Sequence, residues 1–168
     1  MENNSIDNLK LWINDFIIKL NICPFAKPSF RNHEILYRVN QAQEMEDQIA
    51  EVVFMMNDLI ENDKISNAFL LFEKEYQQFD DFLEFFYTTE AIIEEMNYHQ
   101  DFQIVSFHPE YQFDGIEKSD PANQRNQSPF PLIHILRIKE VTKAIVGNNT
   151  KKIVDRNIKF LRERDTEI

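Results

Sequence analysis

Only two glycines, Gly115 and Gly147, occur in the 168 residues. A phosphate-cradling loop or a dinucleotide fingerprint needs several glycines close together, because backbone must approach phosphate with no side chain in the way. Neither can be built from this chain. Cysteine is scarcer still. Cys23 stands alone, which excludes an internal disulfide and fits a reducing compartment, so a cytoplasmic protein is expected. No apolar run comes near the roughly 20 residues of a membrane span. The N-terminal Met1-Glu2-Asn3-Asn4 lacks the basic and then apolar order of a signal peptide. His-Glu-x-x-His, Cys-x-x-Cys and Gly-x-Ser-x-Gly are missing too, so the commonest catalytic and metal signatures contribute nothing.

Basic charge is the other shortage. The formal net charge is −11. Residues 41–101 carry 16 acidic side chains against 2 basic ones, whereas residues 102–168 carry 11 basic against 9 acidic. An acidic protein repels phosphate backbones, so nucleic acid is not an expected partner, and neither is a membrane. The acidic middle reads most simply as solvated helix faces. The last third keeps enough cations for a local pocket that holds a small anion.

What is present is a 43% hydrophobic chain with 15 phenylalanines, enough for one aromatic-rich core in a single domain spanning residues 1–168. Apolar spacing predicts helices over residues 6–20, 44–60, 79–96, 132–146 and 151–164, the first ending near Cys23 because Pro24 disfavours helical geometry before it. Strands are predicted over residues 34–39, 68–72 and 102–107. Strands alternating with helices imply parallel crossovers. The expected fold is therefore α/β: a small three-stranded, largely parallel sheet covered by about five helices, with α+β as the alternative.

Residues 108–130 break the pattern. They are polar, contain Pro109, Gly115, Pro121 and Pro129, and show no period. A long irregular connection in a compact domain is usually functional or disordered, and Tyr111 and Phe113 argue for order. His108 ends the third expected strand, the edge at which open α/β sheets bind ligands; it reads as a general acid or base, or as a strand cap. His134 and Arg137 stand three apart on an expected helix and would be neighbours there. That helix is apolar all round, so Arg137 needs a partner: a carboxylate such as Asp120, or a bound anion. Asp120, Asn123, Arg125, Asn126 and Ser128 are turn formers or ligand contacts. A helix start at Ser128 would offer free N–H groups to an anion, with Arg125 or Arg137 adding charge. Cys23 is a small buried residue or, if it meets His108, a nucleophile.

The stretches Leu20-Asn21-Ile22-Cys23-Pro24-Phe25-Ala26, Phe107-His108-Pro109-Glu110-Tyr111-Gln112-Phe113, Asp120-Pro121-Ala122-Asn123, and Ser128-Pro129-Phe130-Pro131-Leu132-Ile133-His134-Ile135-Leu136-Arg137 resemble a bacterial family catalogued as domain of unknown function 1415. The resemblance covers nearly the whole chain. It implies weight on Cys23, His108, Asp120, Asn123, Asn126, Ser128, His134 and Arg137, and it implies no activity. Gln127 and Phe130 stand where the family pattern implies Arg and Tyr, so an anion would fall to Arg125 or Arg137.

Three functional readings follow. The first is an enzyme or enzyme-like site acting on a small anionic metabolite, with His108 as acid or base, Asp120 orienting a histidine or Arg137, Cys23 as nucleophile, and Arg137 with the Ser128 helix start as anion site. The second is a zinc or iron site built from His108, His134 and Asp120. The third is a non-catalytic ligand-binding or structural domain. No cofactor and no oligomeric state is singled out. Whether His108, His134, Asp120 and Cys23 converge separates the three.

Overall fold

The computed structural model describes residues 2–165. Four strands form one sheet, β1 (Ile35–Val39), β2 (Asn67–Leu71), β3 (Phe102–Phe107) and β4 (Leu132–Arg137), in the order β1-β2-β4-β3. β1 and β2 pair in parallel, whereas β4 runs against both β2 and β3. The three expected strands thus point one way, but a fourth, antiparallel strand lies between the second and the third. The expectation of a three-stranded, largely parallel sheet is corrected to a four-stranded mixed one.

β4 comes from residues whose apolar character predicts a buried helix. A short, mostly apolar run looks the same in both settings, because a central strand covered on both sides is also largely apolar on every side. The alternating Ile133 and Ile135 and the prolines just upstream favour the strand, and helix begins only at α5 (Ile138–Ile145). With Phe107 paired to Leu132, residues 108–131 are the long connection of a β3–β4 hairpin. Ser128 consequently starts no helix. Its N–H donates to the His108 carbonyl at 3.4 Å, and its hydroxyl donates to the Phe130 carbonyl at 2.6 Å. The anion site expected at a Ser128 helix start is absent from the fold.

Alternation along the strands divides the interior into two layers. Ala68, Leu70, Ile104, Ile133 and Ile135 face α3 (Met45–Glu61) and α4 (Phe79–Glu95), meeting Val52, Met55, Met56, Phe82 and Phe85. The acid-rich middle of the sequence supplies these two helices, with Glu46, Asp47, Asp80 and Asp81 in their exposed first turns, where the helix dipole favours negative charge. On the other face, Phe69, Leu71 and Leu132 meet Leu9 and Ile13. These belong to α1 (Glu2–Trp12) and to the wider π-helical turn that continues it, Ile13–Ile18. A short α2 (Ala26–Arg31) and the long α6 (Thr150–Asp165) complete that layer, Leu161 of α6 packing on Ile17 and Ile22. No described helix is long and apolar enough to cross a membrane.

The same alternation turns Arg137 toward α3. Its Nε donates to the Ile65 carbonyl at 3.0 Å, and its Nη2 donates to the carbonyls of Asn62, at 3.2 Å, and Leu59. The guanidinium lies 6.0 Å from the Phe102 ring centre. Arg137 therefore caps the orphan carbonyls at the end of α3. Its partners are these carbonyls and not Asp120, which pairs with Arg162 instead. Arg137→Met should cost on the order of 3 kcal/mol in urea unfolding, because three carbonyls, that of Leu59 buried, lose a charged donor. Sulfate or phosphate should raise the melting temperature of both proteins equally. Wild-type stability in the variant would remove the capping account.

Candidate small-molecule site

Phe107 and His134 have the opposite strand parity from Arg137, so they face the layer made by α1, the π-helical turn and α6. There the side chains line a half-open cavity of about 330 Å³. Phe69, Phe107 and His134 form its sheet side, and Trp12, Ile13 and Ile17 its π-helical wall. Cys23 and Phe25 close one end, and Ile153, Val154 and Asn157 of α6 lie across it. At the end of the π-helical turn the Lys19 N–H reaches back five residues to the Asn14 carbonyl at 3.0 Å, and beyond it the Ile22 N–H reaches the Ile17 carbonyl at 2.9 Å. Such wide turns are rare and recur at functional sites. α6 is fastened over the cavity by polar bonds: Asn157 Nδ2 donates to the Ile22 carbonyl at 2.6 Å, and Arg156 donates to the carbonyls of Leu20 and Asn21 at 3.1 and 3.0 Å.

His134 stacks on Phe69 with ring centres 4.0 Å apart and planes 13° from parallel. Its Nε2 lies 2.9 Å from Asn67 Oδ1. Asn67 Nδ2 donates to Ser66 Oγ at 2.8 Å, which fixes the amide orientation. Oδ1 can only accept, so the imidazole proton sits on Nε2 and Nδ1 keeps its lone pair. The apolar surroundings push the His134 pKa down to about 3, because burial penalises the charged form. Among the described residues, no side-chain nitrogen or oxygen is both sealed off and unpartnered. Nδ1 has no hydrogen-bond partner among the described residues, so it opens onto the cavity that His134 lines.

Three further polar groups share this cavity. Burial pushes the Cys23 thiol above its ordinary value, outweighing the N–H groups of Phe25 and Ala26 that favour the thiolate. Arg125 lies over the Phe113 ring at 4.2 Å and donates its Nε to the Ala122 carbonyl at 2.9 Å. Its two terminal nitrogens have no hydrogen-bond partner among the described residues. Burial lowers its pKa, yet a guanidinium starts so high that it stays charged. Asn126 donates Nδ2 to the Ser106 carbonyl at 3.0 Å and has its Oδ1 free for a ligand.

A model of a family described as a protein of unknown function, DUF1415, matches residues 4–168. The chain belongs to the DUF1415 family. No curated protein and no solved structure matches it.

The geometry sorts the DUF1415 motif residues into two groups. Cys23, Asn126 and His134 border the cavity, together with Arg125. The others build the scaffold. His108 is fully buried; its Nδ1 accepts the Glu110 N–H and its Nε2 bonds the Tyr76 carbonyl, both at 2.9 Å. With Phe79 and Phe82 against its ring it lies on the α3–α4 face, since neighbours on a strand point opposite ways. No nitrogen is left for proton transfer, and Cys23 does not meet it. Asp120 accepts the Ala122 N–H at 2.9 Å, capping the 3₁₀ turn Pro121–Arg125, and takes two bonds from Arg162 of α6 at 3.0 and 2.6 Å. Asn123 accepts the Phe113 N–H and donates to the carbonyls of Glu117 and Lys118. Gln127, where the family pattern implies Arg, donates to the Tyr111 carbonyl at 3.2 Å. His108, His134 and Asp120 therefore do not form the metal ligand set considered above, and no group of three His, Cys, Asp or Glu among the described residues could hold an ion.

Sequence reasoning missed Asn67, Trp12, Phe107 and Asn157. A polar residue opening a fully buried strand, as Asn67 does, and the lone tryptophan on an apolar helix stripe were the available signals. Unfolding frees His134 to titrate near its ordinary 6.5, against about 3 in the fold. Between these values the unfolded chain binds a proton that the folded chain refuses. The stabilising contribution is therefore complete above about pH 6.5 and declines as pH falls toward 3. Nitrogen NMR should find His134 neutral, with the proton on Nε2, from pH 8 to pH 5. A midpoint near 6.5 would contradict this burial.

Proposed function

We propose that this DUF1415 protein binds a small organic anion with an apolar body, and that the binding cavity is also where it acts on that molecule. One observation carries the reading: a half-open, mostly apolar cavity bordered by a single cation, Arg125, whose terminal nitrogens have no hydrogen-bond partner among the described residues. Ligand sites have this composition, with apolar walls and a few placed polar groups. A guanidinium fork suits a carboxylate or phosphate. The volume falls at the small end of the usual range, about 300–1,000 Å³.

In this reading Arg125 takes the anion-holding role expected of Arg137, and Asn126 assists it. His134 takes the proton-accepting role expected of His108, and Cys23 is the nucleophile available to it. At rest both are neutral, so the empty cavity holds no thiolate–imidazolium pair. Any covalent step waits for a ligand that changes this balance.

The test compares phenylacetate with phenylacetamide, and octanoate with octanamide, by calorimetric titration. The acids should bind and the amides should bind at least about tenfold more weakly, since a hydrogen bond to a charged group contributes about 1.5–3 kcal/mol. Arg125→Met should abolish the difference. Equal binding of acid and amide, or an acid preference untouched by the substitution, would overturn the proposal.

A further inference from the structure

We infer that the ligand of this cavity is an aromatic acid carrying a ring hydroxyl or ring N–H, and that His134 Nδ1 is the group that reads it. The inference rests on the anion reading above and deepens it.

The argument starts from a fixed tautomer. Asn67 Oδ1 holds the Nε2 proton of His134, and Asn67 is itself held by Ser66. The imidazole cannot turn its donor toward the cavity without leaving Asn67 Oδ1 unpaired. It also cannot gain a second proton at neutral pH, because burial disfavours the cation. Nδ1 is thus an acceptor and nothing else. No donor among the described residues satisfies it, and the rings beside it, Phe69 and Phe107, have none to give.

A lone pair at the wall of an apolar cavity discriminates strongly. A ligand that fills the space without a donor expels any water there and leaves Nδ1 unpaired, whereas one that brings O–H or N–H pairs it. Sites that bond a ligand hydroxyl or N–H reject the analogue lacking it far better than apolar pockets distinguish sizes. The body that carries the donor is aromatic because the walls are. Trp12 meets Phe107 edge-on at 5.8 Å, and both line the cavity with Phe25. Flat rings pack against such surfaces with favourable edge and face geometry.

Two matched pairs separate the donor from the rest of the molecule: 4-hydroxyphenylacetate against phenylacetate, and indole-3-acetate against 1-methylindole-3-acetate. In titration calorimetry at least one donor-bearing acid should bind the wild type about 10- to 100-fold more tightly than its partner. His134→Phe keeps the stack on Phe69 and should erase that advantage while leaving the dependence on Arg125. Because this substitution also strands Asn67, a second readout uses the unaltered protein. The Nδ1 resonance of His134 should shift on adding the donor-bearing acid and stay in place with the donor-free one. Equal affinity within both pairs, or an Nδ1 signal indifferent to the donor, would overturn the inference and leave the anion reading intact. Failure of all four acids to bind would overturn both.

Discussion

The placement of β4 between β2 and β3 imposes a constraint that the rest of the molecule obeys. Its side chains must leave in alternate directions, and both directions lead into protein. Ile133, Ile135 and Arg137 enter the α3–α4 layer, and Leu132, His134 and Leu136 enter the layer of α1 and α6. The register Asn67↔Leu136, Phe69↔His134, Leu71↔Leu132 locks this choice. A slip of one residue would exchange the two sets. It would turn the Arg137 guanidinium to the cavity face, at or beyond Asn67, and the His134 imidazole toward α3, so the α3 cap and the cavity stand or fall together.

That arrangement explains the electrical character of the site. The chain carries a large negative charge, yet the cavity is bordered by no carboxylate. It holds a neutral imidazole, a neutral thiol and one guanidinium. In a poorly polarisable space each of these interactions reaches further than it would in water. The acidic side chains of α3 and α4 lie on the other side of the sheet, where water screens them. The protein is thus acidic overall, yet its cavity is lined by one cation and no carboxylate, and the sheet keeps the two regions apart.

Helices α3, α4 and α6 and strands β1 to β3 were legible because their apolar periods are long or their flanks distinct. β4 was not, since a six-residue stretch with four apolar residues satisfies helix and central strand equally. That single ambiguity moved several functional assignments. Read as a helix, residues three apart are neighbours, and His134 and Arg137 make one site; on a strand they occupy opposite faces. Cys23, Arg125, Asn126 and His134 were legible as candidates from residue type, and they share a cavity. His108, Asp120, Asn123 and Ser128 have the same chemistry but spend it on backbone N–H and carbonyl groups or on Arg162. Polar residues in a long connection look alike from sequence whether they hold the loop or hold a ligand. Only the accounting of partners distinguishes them, and that requires coordinates.

The bonds from Arg156 and Asn157 to Leu20, Asn21 and Ile22 join the two ends of the described chain across the cavity. One wall comes from α1 and the π-helical turn and another from α6, far apart in sequence, and the sheet side between them is completed only when β4 is inserted. The β1–α3–β2 unit can fold early, since its contacts lie close together in sequence. The cavity has both walls only once α6 has docked, and before that this face of the sheet is an open, aromatic groove that invites aggregation.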